Sequence, residues 1–358
     1  MPGRARYPVA SFVALLLLLL VPVAVAAADP PEGPDGRPAT AAPVVKKWAL
    51  AIHGGAGVIA RSMPPEKREA YQAELKAALN LGREMLAQGK SSVDVVEAVV
   101  RRLEDCPLFN AGKGAVFTHD GHNELDAAIM DGRSLACGSV AGLRSIKNPV
   151  ALARAVMEKS GHVFLVGAGA EAFAATLPEI EKVEPKYFFT EDRWQQLQDA
   201  LTRESAAKVS RLPLAVPAAE RYGTVGAVAL DQDGNLAAAT STGGMTNKRW
   251  GRIGDVPVIG AGTYASNRSV AVSCTGFGEQ FIRHSVAHTV ATLVEYAGMG
   301  VQAAAAKVIH QELQKGDGGL VAVGRDGSIA LEFNSDGMYR GAADSGGRFE
   351  VAIWEPAP

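Results

Sequence analysis

Cysteine is nearly missing from this chain: Cys106, Cys137 and Cys274 are 3 residues in 358. So odd and sparse a set makes no disulfide framework, and three buried or partly buried free thiols are expected. No histidine stands near a cysteine in a motif that would make it a nucleophile. An excess of positive charge is missing too. Lysine and arginine total 36 against 38 acidic residues, for a net charge of -2, and without a basic cluster the electrostatic case for nucleic acid falls away. His284 and His288 have the spacing of one helix face but lack the glutamate of a zinc-protease motif. Gly167-Ala168-Gly169 does not complete a dinucleotide-binding fingerprint. A glycine-flanked serine of the α/β-hydrolase kind does not occur.

What is present begins with a targeting pattern. Arg4 and Arg6 precede a leucine-rich apolar core from Ser11 to Val23, and Ala24-Val25-Ala26 supplies small residues for cleavage. The apolar run is short for a membrane anchor, and Pro22 interrupts it. Residues 1–28 are therefore expected to be a signal peptide, the protein to be exported (periplasmic or secreted), and no membrane attachment to remain. Residues 29–43, rich in proline, glycine and alanine, read as a flexible leader.

The folded part is expected from Val44. Trp48 to Ile52 reads as a strand ended by His53-Gly54-Gly55-Ala56-Gly57. Pro65 to Gln88 has helical periodicity, and Ser92 is expected to cap a second helix through Glu104. Ala115 to Phe117 and Glu124 to Met130 read as strands about an Asp120-Gly121 turn, and His162 to Val166 as another. Pro149 to Lys159 and Ala170 to Ala175 read as helices. From about residue 178 to 222 the chain is polar and proline-bearing, a linker with one helix around Trp194 to Ala207. Val225 to Leu230 and Leu236 to Thr240 form a hairpin through Asp233-Gly234. A second hairpin joins Leu320 to Val323 with Ile329 to Phe333. Between the hairpins lie two helical patterns, Glu279 to Tyr296 and Val301 to Gln314. The expected architecture is layered α+β, in the order helix, sheet, sheet, helix.

The segment Gly223-Thr224-Val225-Gly226 opens a strand directly after the linker. If the bond before Thr224 were broken, its new α-amino group, with a pKa of roughly 8, could take the hydroxyl proton. Nucleophile and base would then share one residue. Glycine at 223 would permit backbone geometry that other residues resist. Thr240-Ser241-Thr242-Gly243-Gly244, at the end of the antiparallel partner strand, returns its hydroxyls to the mouth of the first. Arg252 and Asp255 offer a fork for a carboxylate and a charge for an ammonium, the two groups of an α-amino acid. A surface ion pair is the plainer alternative. Ser273-Cys274-Thr275-Gly276-Phe277-Gly278-Glu279 leads into a helix and could supply oxyanion donors or only a helix cap.

Together with His53-Gly54-Gly55-Ala56-Gly57 and Pro107-Leu108-Phe109-Asn110-Ala111-Gly112, these segments resemble the plant-type asparaginases, or isoaspartyl peptidases, and their relatives the glycosylasparaginases and taspases. The resemblance runs from about Trp48 to Gly341. It implies a four-layer αββα sandwich of the N-terminal-nucleophile class, cut between Gly223 and Thr224 into an α chain (44–223) and a β chain (224–358). It implies Thr224 as nucleophile, Thr242 as the hydroxyl that tunes it, and Arg252, Asp255 and Gly278 as substrate contacts. Thr275 and Gly276 match oxyanion and substrate-amide positions, and Asn110 a position near the nucleophile. Small-molecule substrates are implied, asparagine and β-aspartyl peptides, with a dimer of cleaved α/β units as the active form. No cofactor is implied for catalysis. The loop from Leu103 to Lys113 resembles a sodium-binding loop, with the carbonyls of Leu103, Glu104, Cys106, Phe109, Ala111 and Lys113 as ligands to sodium or potassium. Trp250 and Phe277 depart from the family pattern, which often has proline and threonine there. Glycosylasparaginase activity, and a non-catalytic amino-acid-binding protein, are the competing readings.

Overall fold

The computed structural model describes residues 46–210 and 223–355. The expected signal peptide and leader, and the last part of the expected linker, lie outside the described residues. No helix among the described residues is long and apolar enough to cross a membrane.

In chain order the elements are β1 (Ala49–Gly57), α1 (Pro65–Ala87), α2 (Ser92–Asp105), β2 (Leu125–Asp131), β3 (Cys137–Leu143), α3 (Pro149–Lys159), β4 (Phe164–Val166), α4 (Gly167–Ala174) and α5 (Glu191–Ser210). After the junction come β5 (Val225–Leu230), β6 (Leu236–Thr242), β7 (Thr263–Ala265), β8 (Val270–Gly276), α6 (Gly278–Arg283), α7 (Val286–Glu295) and α8 (Val301–Lys307). The chain closes with β9 (Gly318–Gly324), β10 (Ile329–Phe333), β11 (Gly337–Asp344) and β12 (Phe349–Ala352). One sheet has eight strands in the order β12-β11-β1-β5-β6-β2-β3-β4, the other four in the order β10-β9-β8-β7.

Strand alternation sorts the core into layers. Leu50 and Ile52 of β1, with Val225, Ala227 and Ala229 of β5, pack on one face of the large sheet with Leu75 and Leu79 of α1 and Val96 and Val99 of α2. The opposite face carries Ala49, Ala51, Val228 and Ala238 against Ala271, Val321 and Val323 of the small sheet. On the far side of the small sheet, Val272 and Leu320 meet Val286, Val290, Ala304 and Val308 of the helical layer beyond. This is the expected αββα order. Alanine and valine dominate between the sheets, which lets the two backbones approach closely.

Several sequence expectations need correction. β1 does not stop at Ile52. A bulge between His53 and Gly55 absorbs the glycine-rich turn, and pairing with β11 continues to Gly57. Ser91, not Ser92, caps α2, its hydroxyl accepting from the Asp94 N–H. Residues 115–117 contribute one isolated bridge, Phe117 to Asn123, rather than a strand. The single helix expected over 279–296 is broken at Ser285, whose φ of 46° cannot continue a helix. The helix expected within the linker extends in both directions, to Glu191 and Ser210. All three cysteines are free thiols, Cys106 and Cys274 buried and Cys137 half-buried.

Candidate active site

The same alternation that fills the inter-sheet layer with alanine places polar side chains in it at one end. Counting along β5 and β6, Thr224, Thr240 and Thr242 follow the phase of Val228 and Ala238, and Ser273 and Thr275 of β8 follow that of Ala271. His53 follows the phase of Ala49 and Ala51. All of these side chains are buried. The register Val225 to Ser241 brings the end of β6 to the start of β5, as the hairpin argument required.

The Gly223 carbonyl is the focus. Its oxygen accepts from Thr224 Oγ1 at 2.7 Å, Thr242 Oγ1 at 3.0 Å and Asn110 Nδ2 at 3.0 Å. A carbonyl oxygen has two lone pairs, so three donors oversupply it, and the crowding suits a tetrahedral oxyanion better than a planar amide. Thr242 Oγ1 also lies 3.2 Å from Thr224 Oγ1 and accepts the Gly244 N–H at 3.0 Å. It can therefore accept a hydrogen bond from Thr224 while donating its own proton to the Gly223 oxygen. Asn110 is held in turn: Nδ2 also donates to Gly244 O at 2.7 Å, and Oδ1 accepts from the Val116 N–H at 2.9 Å. Gly223 has φ 116°, and a Cβ there would lie 2.5 Å from Asn110 Cβ. No other residue fits this position.

Three glycine-rich pieces surround the junction. Gly55, next to the β1 bulge, lies so close that a Cβ on it would be 3.1 Å from Gly223 Cα. Ala56 N–H donates to Thr275 Oγ1 at 3.1 Å, which leaves the Thr275 hydroxyl proton for another acceptor. A cavity of 360 Å³ reaches Gly223 and Asn110, lined also by Tyr339 and by Arg193 and Gln196 of α5.

Arg252, Asp255 and Gly278 form a second group, and none of the three lines that cavity. A Cβ on Gly278 would lie 2.8 Å from both Arg252 Nη2 and Asp255 Oδ1, so the guanidinium and the carboxylate converge on this glycine. The Arg252 fork is not idle: Nε and Nη2 donate to Glu279 at 2.9 and 2.8 Å. Its ion-pair partner is thus Glu279 rather than Asp255, a contact the sequence spacing did not indicate. Asp255 Oδ2 is buried with no hydrogen-bond partner among the described residues. Burial pushes the Asp255 carboxyl up to about 7, although Arg252 pulls in the opposite direction. Thr275 and Gly276, at the end of β8, lead through Phe277 to Gly278 and so join the two groups. Trp250, which breaks the family pattern, is 95% exposed with φ 57°.

The expected ion loop curls on itself. The carbonyl oxygens of Glu104 and Phe109 would lie 2.3 and 2.0 Å from a Cβ on Gly112 and Gly114 respectively. The Glu104 carboxylate accepts from the Val150 N–H at the start of α3, and burial pushes it up to about 8. Among the described residues no group of three or more His, Cys, Asp or Glu side chains could hold a metal. The expected donors are main-chain carbonyls, a type that suits a hard cation.

Sequence reading left His53 without a role. Its Nδ1 lies 3.2 Å from the Thr224 carbonyl oxygen and its Nε2 2.8 Å from Ser273 Oγ. The signal was available only as a phase: His53 lies two and four residues beyond Ala51 and Ala49, which face between the sheets.

With this geometry in hand, comparison with known proteins is informative. Residues 46–353 match the sequence model of a family described as asparaginase. The chain is 50% identical over 297 residues to an isoaspartyl peptidase of Escherichia coli, covering 82% of this chain and 92% of that protein. It is 44% identical over 328 residues to a probable isoaspartyl peptidase/L-asparaginase 2 of Arabidopsis thaliana, covering 86% and 99%. An isoaspartyl peptidase/L-asparaginase of Rattus norvegicus is 40% identical over 316 residues, covering 88% and 92%.

Proposed function

This chain belongs to the asparaginase family, and on that premise we propose that it hydrolyses L-asparagine and β-aspartyl dipeptides with Thr224 as an N-terminal nucleophile that the protein frees by cutting itself. The observation that carries the reading is the Gly223 carbonyl, ringed by the hydroxyls of Thr224 and Thr242 and the amide of Asn110.

In the uncut chain, Thr224 Oγ1 attacks the Gly223 carbonyl carbon and its proton passes toward Thr242. Thr242 and Asn110 hold the charge that develops on the oxygen. The C–N bond breaks as the hydroxyl proton, relayed through Thr242, reaches the nitrogen; the acyl group rests on the threonine oxygen as an ester, and the nitrogen becomes the Thr224 amine. Water then cleaves the ester, giving one chain ending in the Gly223 carboxylate and another beginning at Thr224. The free amine, with a pKa of roughly 8, now supplies the base that the hydroxyl lacked.

In turnover the same oxygen attacks the side-chain carbonyl of the substrate. Asp255 Oδ2, buried and without a partner, is the acceptor for the substrate ammonium. Arg252, fixed by Glu279, receives the α-carboxylate with its remaining N–H groups. Thr275 and Gly276, with Asn110, face the developing oxyanion. Ammonia, or the amine of an amino acid, departs with a proton from the Thr224 ammonium. Water then releases aspartate and restores the hydroxyl. Orientation by two charges at one end and a fixed nucleophile at the other is a proximity effect.

The loop carbonyls of Leu103, Glu104, Cys106, Phe109, Ala111 and Lys113 are proposed to hold a monovalent cation, which would stiffen the segment leading to Asn110. The protein is further proposed to act after export, as a dimer of cut units. The deciding experiment is an intact mass of the purified protein together with an assay of asparagine, a β-aspartyl dipeptide and a glycosylasparagine. Two masses meeting at the Gly223–Thr224 bond and turnover of the first two substrates are expected. A single mass with undiminished turnover would overturn the scheme. Thr224→Ala should yield one uncut, inactive chain.

A further inference from the structure

We propose that His53 and Ser273 are positioning residues: a one-way chain of hydrogen bonds from Thr263 through Thr240, Ser273 and His53 ends on the Thr224 carbonyl and holds the nucleophile in register once its own peptide bond has been cut. The proposal rests on the reading of Thr224 given above, and it adds groups which that scheme does not use.

The direction of the chain follows from counting protons. A carbonyl oxygen only accepts, so the contact at 3.2 Å requires the proton on His53 Nδ1. Burial pushes the His53 imidazole down to about 3, so the ring is neutral and Nε2 carries a lone pair. Ser273 Oγ, 2.8 Å away, must donate to it. Having spent its proton, Ser273 accepts from Thr240 Oγ1 at 2.7 Å, and Thr240 accepts from Thr263 Oγ1 at 2.7 Å. One arrangement satisfies every contact in this line, with the Thr263 proton shared between Thr240 and the Val256 carbonyl at 3.0 Å, and hydrogen bonds aligned head to tail strengthen one another. None of the four side chains has any exposed surface, so water does not compete.

A glycine keeps the line open. Gly226 pairs with His53 across β1 and β5. A Cβ at residue 226 would lie 2.0 Å from Ser273 Oγ and 2.3 Å from His53 Nε2, inside the hydrogen bond itself. Gly226 lies in a strand whose neighbours Val225, Ala227 and Val228 all carry side chains, and a merely apolar inter-sheet layer would gain from an alanine here.

The need for such a line arises from the cut. Before it, Thr224 is tied on both sides. Afterwards it is a chain terminus, and ladder pairing begins only at Val225. The Thr224 carbonyl is then the main-chain handle that sets where its amine and hydroxyl point. A displacement of about 1 Å in a reacting group costs roughly 100-fold in rate.

The test measures turnover of a β-aspartyl dipeptide per freed Thr224 terminus, counted by intact mass, in the wild type and in four variants. Wild-type protein that fails to cut would sink the parent reading, whatever the variants do. With cutting established, His53→Ala and Gly226→Ala should lower kcat by about 100-fold and Ser273→Ala on the order of tenfold, each with KM within about threefold of wild type. His53→Asn, whose amide can still donate to the Thr224 carbonyl, should recover part of the loss. The pH at half-maximal kcat should stay where the Thr224 amine sets it, only the plateau falling. Turnover within twofold of wild type in both His53→Ala and Ser273→Ala would overturn the proposal. So would losses that follow only the fall in folded protein, or His53→Asn no better than His53→Ala. Should His53→Ala not fold, Ser273→Ala, which keeps the imidazole, decides alone by the same kcat criterion.

Discussion

Asp255, the proposed ammonium acceptor, shows how such a residue weighs on the fold that carries it. Its folded pKa of about 7 lies above the ordinary 3.8, because burial disfavours its charge. The folded chain therefore holds this proton more tightly than the unfolded one, and stability falls as pH rises from about 4 to about 7. Asp255→Asn should raise Tm at pH 8 and leave it unchanged near pH 3, as scanning calorimetry at the two pH values would show. On the proposed role, the same titration should govern binding, since a protonated carboxyl cannot pair with an ammonium. KM in the wild type should worsen as pH drops below about 7. In Asp255→Asn it should be higher by about 30-fold or more and nearly independent of pH, because one partner of a buried charge pair is gone. Asn110 supports a separate expectation. Removing one oxyanion donor costs about 100- to 1,000-fold, so Asn110→Ala should accumulate uncut chain, visible as a single slow-clearing band on a denaturing gel. The family resemblance pointed to Thr224, Thr242 and Asn110 as neighbours, and the structure brings the three side chains together at the Gly223 carbonyl. His53 was not legible in the sequence, because its partners lie 171 and 220 residues away and a lone histidine carries no pattern.

At the scale of elements, the hairpins were the most readable, since Asp-Gly turns mark β5–β6 and β9–β10 directly. β3, β7, β8, β11 and β12 were missed, β3 and β11 for a physical reason. Cys137-Gly138-Ser139-Val140-Ala141-Gly142-Leu143 and Gly337-Met338-Tyr339-Arg340-Gly341-Ala342-Ala343-Asp344 are mostly buried, so neither shows the polar alternation of a half-exposed strand. The break between α6 and α7 was missed because Ser285 adopts a left-handed conformation without glycine or proline to announce it. α5 was seen only in part, and its attachment not at all. Arg249 Nη2 donates to both Glu204 oxygens at 2.7 Å, fastening the end of α5 to the loop that leads to Arg252. Glu204 is 7% exposed, so breaking this pair leaves charge poorly solvated. Glu204→Ala is expected to cost about 1–3 kcal/mol once the partial exposure of Arg249 is allowed for. Faster amide exchange along Glu191–Ser210, with little change in α1 or α2, would locate the effect.

For the molecule as a whole, the four-layer order was legible from strand and helix succession, whereas the strand order was not, because it depends on pairings between distant segments. That order alternates by origin. β1, β2, β3 and β4 precede the junction, and β5, β6, β11 and β12 follow it, yet β1 lies between β11 and β5, and β6 pairs with β2. If the proposed cut occurs, three of the sheet's seven strand pairings, β11–β1, β1–β5 and β6–β2, become an association between two polypeptides. Refolding of the cut enzyme from urea should then depend more steeply on protein concentration than that of uncut Thr224→Ala, whose two halves stay tethered. Equal concentration dependence in both would count against a cut at this junction.

The donors around Gly223 come from segments far apart in the chain, Asn110 from before the junction and Thr242 from after it. A newly made chain has no such ring until β6 has returned alongside β5 and the loop bearing Asn110 has closed over them. On the proposed mechanism, a severed backbone would thus be a permanent record, written once, that a given molecule reached its native topology. Later unfolding would not erase it, so the fraction of cut chains in a sample would count successful folding events over its whole history rather than the molecules that happen to be folded when it is measured.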